Sequence, residues 1–170
     1  MPKPSKVKYI VIHCSAGYGS VESIQNFWKN KLGWKSPGYH RIVDLDGNIH
    51  ELADYEDYTN GVKSFNSESI HISYIGGVNK NDYTKAVDTR THEQKMKIQH
   101  LISDVLLWLE DNGVDINSGI SVVGHRDFSP DQNGDGKIAD WERIKECPSF
   151  DAMHEYRDYT SADKRLQLPG

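Results

Sequence analysis

Thr91 to Val123, THEQKMKIQHLISDVLLWLEDNGVDINSGISVV, is the stretch that decides the class of fold. Met96, Ile98, Leu101, Ile102, Val105, Leu106 and Leu109 recur at helical spacing and form one apolar stripe. The spacing predicts a helix over Thr91 to Asn112, ended by Gly113. Ile120, Val122 and Val123 follow as a short β-branched run, the signature of a strand. A one-sided helix needs a surface to cover, and a strand of this kind supplies part of one.

The segments upstream supply the rest. Lys8 to Ser15 reads as a buried strand, because Tyr9, Ile10, Val11 and Ile12 are all β-branched or aromatic. Ser20 or Ser23 can cap a helix carrying Ile24, Phe27, Trp28 and Leu32, which Gly33 stops. Tyr39 to Val43 and Ile49 to Leu52 flank Asp44-Leu45-Asp46-Gly47-Asn48, and the Asp-Gly pair marks a hairpin. Residues 53–68 are polar and irregular, Ser69 to Ile75 is a further strand closed by Gly76-Gly77, and residues 78–90 form a charged loop. Neither an internal repeat nor a linker is visible. The fold class expected is therefore α/β: a single domain with a central mixed β-sheet flanked by helices. Residues 1–7 form an N-terminal arm, residues 8–150 the domain, and residues 151–170 a polar C-terminal extension with a short helical turn.

At 170 residues the chain is long enough to bury a real core. Its formal charge of -5 argues against a nucleic-acid partner held by general phosphate attraction. The apolar run Tyr9 to Ile12 is too short for a signal-peptide core, and no stretch reaches the length of a membrane span. Synthesis in the cytoplasm without a signal peptide is expected. Two cysteines cannot build a disulfide framework.

Chemistry concentrates in Ile120 to Phe150, ISVVGHRDFSPDQNGDGKIADWERIKECPSF. His125 ends the strand and Cys147 follows a polar loop, while His13 ends the first strand. Two imidazoles and a thiolate leave a fourth tetrahedral position open, the layout of a catalytic rather than a structural zinc site. On spacing alone each residue also has a plainer reading. A strand-end histidine is commonly just solvated, a lone cysteine is commonly a small core residue, and a Cys14–Cys147 disulfide would abolish the site. Adjacent strand residues face opposite sides of a sheet, so a His13 aimed at a metal sends Cys14 into the core.

The local sequences around these residues resemble the zinc-dependent N-acetylmuramoyl-L-alanine amidases, the family shared by T7-type phage lysozymes and peptidoglycan recognition proteins. The resemblance runs from about Lys8 to Phe150, through YIVIHCSA, GYHRIVDLDGNIHEL, NSESIHISYIGG, VVGHRD and KECPSF. It implies an amidase-like fold and zinc held by His13, His125 and Cys147. It further implies that Tyr39 faces the reaction centre and that Lys145 matches a catalytic lysine supplying positive charge where an oxyanion develops. The implied activity is hydrolysis of the amide between N-acetylmuramic acid and L-alanine in peptidoglycan, in a phage or prophage endolysin that reaches the cell wall after release. The expected partner is a muramyl peptide, with neither nucleic acid nor membrane involved, and the expected state is a monomer. A non-catalytic peptidoglycan-binding module is the alternative. Restraint of a phage RNA polymerase, known among the T7-type members, is a further one. The chain departs from the family where a His-Ala pair often stands before a glycine: here the residues are Thr59-Asn60-Gly61. His40, His50 and His71 match no ligand and read as strand or groove residues.

Between the last two implied ligands, Asp131 to Glu142 has the oxygen spacing of an EF-hand calcium loop. Asp131, Asn133, Asp135, the Lys137 carbonyl and Glu142 occupy the ligand positions, with Gly136 at the sharp turn. Phe128-Ser129-Pro130 cannot be an incoming helix, so the expectation is a Ca2+-binding loop that fixes Lys145 and Cys147 rather than a whole EF-hand.

Overall fold

The computed structural model of the protein describes residues 4–129 and 146–160. Its centre is strand β1 (Tyr9–Cys14), buried on both faces along its whole length. β1 lies between β4 (Ser69–Tyr74) and β7 (Ser121–Gly124) and runs parallel to both. β2 (Arg41–Val43) runs parallel to the other edge of β4, and β3 (Ile49–Glu51) closes that side antiparallel to β2. The five-stranded order β3-β2-β4-β1-β7 is thus a mixed sheet with one antiparallel edge strand, as the alternation of strand and helix signals predicts.

The predicted long helix is α2 (His92–Asp111). A capping box starts it: the Thr91 hydroxyl accepts from the Gln94 N–H, and the Gln94 side chain accepts from the Thr91 N–H. Gly113, at φ +82°, ends it. Ile98, Leu101, Ile102, Val105, Leu106 and Leu109 pack on Ile10, Ile12, Ile70, Ile72 and Tyr74 of the sheet. Met96 falls outside the stripe and is exposed, because the buried face runs through Gln94, Ile98 and Leu101 and Met96 lies on the opposite side of the helix.

The opposite face of the sheet is covered unevenly. Tyr9, Val11, Val62 and Val123 form one small cluster, and Trp28, Ile42 and Ile75 another. The first helix begins as expected, with the Ser20 hydroxyl capping the Ser23 N–H of α1 (Val21–Asn26), but it widens into a π-helical turn over Phe27–Lys31. The predicted apolar stripe splits there. Trp28 is buried, whereas Phe27 and Leu32 are 53% and 44% exposed on a groove wall. Residues 78–90 also differ from expectation: β5 (Val78–Asn79) and β6 (Asp82–Ala86) make a small antiparallel ribbon. The Asn79 side chain accepts from the Asn81 N–H and turns the chain there.

The helical turn expected after Phe150 is α3 (Ala152–Glu155), and Ala152 and Tyr156 enter the main core. Arg90 holds it. Its buried guanidinium bonds Asp88 at 2.9 Å, both Glu155 carboxylate oxygens at 2.6 and 2.8 Å, and the Tyr156 hydroxyl at 2.9 Å, while stacking on Phe150. Arg90→Met is expected to lower stability by about 2–3 kcal/mol in urea denaturation. That is below the usual cost of breaking a buried pair, because the carboxylates remain partly solvated. Burial pushes the Asp88 carboxyl up, but its bonds to Arg90 outweigh that and leave it low; the Arg90 bonds hold Glu155 low directly. Depressed carboxylates stabilise the fold above their ordinary pKa, so the gap between wild type and variant should close as pH falls below about 4.

Candidate metal centre and groove

The site sits at the carboxyl ends of the parallel strands, where open α/β sheets commonly place ligands. β1 carries Tyr9, Val11 and His13 on the face away from α2, and Cys14 on the face toward it. His13 is accordingly turned to the site and fully buried, while Cys14 belongs to the main core. β7 ends at Gly124, and a 3-10 turn over His125–Phe128 starts at once, with Asp127 accepting from the Gly124 N–H at 2.7 Å. The His125 ring lies 4.9 Å from that of His13.

Cys147 arrives from the far side and is tied down at every step. Its sulfur accepts the Cys14 N–H at 3.0 Å, and its carbonyl accepts the Arg126 N–H at 2.8 Å. The Tyr74 hydroxyl donates to the Pro148 carbonyl and the Ser149 hydroxyl to the Gly77 carbonyl, both at 2.6 Å. Gly77 sits at φ +89°, and any β-carbon there would run into the Cys14 side chain. Gly77 thus leaves room for the Cys14 side chain beside the Ser149 hydroxyl that bonds its carbonyl. Neither cysteine is in a disulfide.

One donor atom each from His13, His125 and Cys147 lie within 4.8 Å of one another. Zinc bonds to nitrogen and sulfur are about 2.0–2.3 Å, so small side-chain adjustments bring all three onto one ion. The chemistry of the donors fits as well. Burial, followed by the neighbouring imidazoles of His71, His125 and His40, holds His13 well below its ordinary pKa, which leaves it neutral with a lone pair to give. The Cys147 sulfur adds a soft donor of the kind zinc takes, held in place by the Cys14 N–H.

Tyr39 lies beside this cluster, its ring 4.8 Å from that of His13 and edge-on to Trp28. Burial, followed by the nearby Cys147 and Cys14, raises its phenol far above the usual range, so it remains a proton donor at neutral pH. The structure brings the three cluster residues and Tyr39 together. Lys145 and the calcium-loop positions Asp131, Asn133, Asp135, Lys137 and Glu142 lie outside the described residues.

A groove of about 690 Å³ runs over the site. Tyr39, His125 and Cys147 line its floor, Phe27, Trp28, Leu32 and Trp34 one wall, and Asn60, Gly61 and Lys63 the other. The sequence reading missed these wall residues, and it missed the partners behind His13. His71 Nδ1 stands 2.8 Å from His13 Nε2, and His40 accepts the His71 backbone N–H at 3.0 Å. The signal for them was available. A buried strand that carries His71 must find partners for that ring.

With this geometry in view, the family model for N-acetylmuramoyl-L-alanine amidase matches residues 3–149, and the chain belongs to that family. The endolysin of Klebsiella phage KP32 is 26% identical over 153 residues, 88% of this chain and 85% of the endolysin. Peptidoglycan-recognition protein SC2 of Drosophila simulans is 28% identical over 166 residues, 92% of this chain and 76% of the relative. The fold is also that of human PGRP-IBETAC, solved in complex with glycosamyl muramyl pentapeptide. The TM-score is 0.65 at 17% identity, over 94% of this chain and 84% of the human one. Among the described residues, no helix is long and apolar enough to cross a membrane.

Proposed function

We propose that the protein is a zinc-dependent amidase that cleaves the amide between N-acetylmuramic acid and L-alanine in peptidoglycan, in the setting of a phage or prophage endolysin. The observation that carries this reading is the convergence of two imidazoles, a thiol and a phenol at one groove, with His125, Cys147 and Tyr39 on its floor and His13 buried behind them. His13, His125 and Cys147 would hold the zinc, which supplies Lewis-acid polarisation of an amide carbonyl and makes water a nucleophile near neutral pH.

The chain's own residues do the rest. The wall carrying Phe27, Leu32 and Trp34, with Trp28 packed behind them, offers apolar surface for a sugar ring or an alanyl side chain to pack on. The Tyr39 phenol donates a hydrogen bond to the oxygen on which negative charge grows as the carbonyl is attacked. Lys145, two residues before Cys147, adds positive charge on the same reading and helps the amine to leave protonated. The calcium reading of residues 131–142 rests on their oxygen spacing and belongs to the same proposal.

Mass spectrometry of digested peptidoglycan tests the reaction. The expected products are stem peptides with a free N-terminal L-alanine and glycans that keep their lactyl groups. Retention of the protein on peptidoglycan with no such products, zinc supplied, would establish the binding-module reading instead.

A further inference from the structure

The family resemblance assigns no role to His71, yet its ring is fully buried directly behind His13. The register of β1 and β4 pairs His13 with Ser73 and Val11 with His71, which puts both histidines on the site face. The hydrogen bonds around them assign the ring protons one by one. Asn66 Oδ1 accepts the Val62 N–H at 2.9 Å, which identifies it as the carbonyl end of the amide. It also stands 2.9 Å from His71 Nε2, so that nitrogen donates. In a neutral imidazole the other nitrogen carries the lone pair. His71 Nδ1 is therefore an acceptor, and His13 Nε2, 2.8 Å away, donates to it.

We propose that His71 is a positioning residue for His13: it takes the Nε2 proton, fixes the ring, and leaves the Nδ1 lone pair turned toward His125 and Cys147. This role rests on the zinc reading above. Metal-bound imidazoles ordinarily hand their second N–H to a carboxylate, a carbonyl or water. Here a second neutral imidazole does so, itself anchored by Asn66 and by the backbone bond to His40. The glycine that ends the Thr59-Asn60-Gly61 segment fits this arrangement. A β-carbon at Gly61 would run straight into the His71 ring, so glycine is what gives that ring its space.

The test compares wild type with His71→Leu, His71→Asn and Gly61→Ala. The readouts are zinc Kd by chelator competition and the visible spectrum of the cobalt(II)-loaded protein. His71→Leu keeps the bulk and removes the acceptor, and should weaken zinc about 10–100-fold and alter the cobalt spectrum. His71→Asn presents an amide oxygen close to where Nδ1 was and should recover most of the affinity. Gly61→Ala should weaken zinc by displacing the ring. Wild-type Kd and cobalt spectrum in His71→Leu overturn the role while leaving the zinc reading intact. If His71→Leu does not fold, an unchanged Kd in Gly61→Ala does the same. A wild-type protein that takes up no zinc overturns both.

Discussion

Cys147→Ala is expected to purify without zinc and to lose at least about 1,000-fold in amide hydrolysis, roughly 4 kcal/mol of transition-state stabilisation. Cys147 is the only donor of the three that can bring negative charge to the ion. Without it, two imidazoles remain, and the Cys14 N–H that now bonds the sulfur at 3.0 Å faces a void. The fold should persist, because the neighbouring Pro148 and Ser149 keep their own bonds to Tyr74 and Gly77. Zinc content by elemental analysis, circular dichroism and turnover of a muramyl peptide together check this. A folded variant with stoichiometric zinc and wild-type turnover would sink the assignment of the ligands.

Tyr39→Phe should show the opposite pattern: full zinc content and a kcat lower by about 100-fold, with KM little changed. The reason lies in the environment of the phenol. Burial and the adjacent cysteines keep it protonated, so it offers a donor hydrogen at the cluster throughout the neutral range. Removing one hydroxyl leaves the ring packing against His13 and Trp28 in place. A variant that loses KM but keeps kcat would move Tyr39 from stabilising the reaction to holding the substrate.

Much of the architecture was readable along the chain because it is governed by local patterning. The stripe from Ile98 to Leu109 needs only helical periodicity to be recognised, and the run Tyr9 to Ile12 only its β-branched and aromatic character. The face that each strand residue takes was legible for the same reason, so that Cys14 could be assigned to the core once His13 was turned to the site. Periodicity failed where the first helix widens into a π-helical turn, since a change of helical pitch at Phe27 leaves no mark in the spacing. The pairing of His13 with His71 was illegible for a different reason. It joins residues far apart in sequence, and it depends on the register between β1 and β4 and on the space left by Gly61. Register is a tertiary quantity that no single strand encodes.

The central position of β1 also has a consequence for biosynthesis. Within this sheet the strand made before its partners is the one that waits longest, because Tyr9 pairs with Ser69 on one side and with Ser121 on the other. Pairings between distant segments form slowly, after the cost of closing a long loop has been met. His13 therefore leaves the ribosome early and acquires its neighbours late, after β7 and the cysteine segment have emerged. A chain that has not yet reached Cys147 has the aromatic wall of the groove but not all three members of the cluster, so the candidate centre can assemble only after that residue has been made.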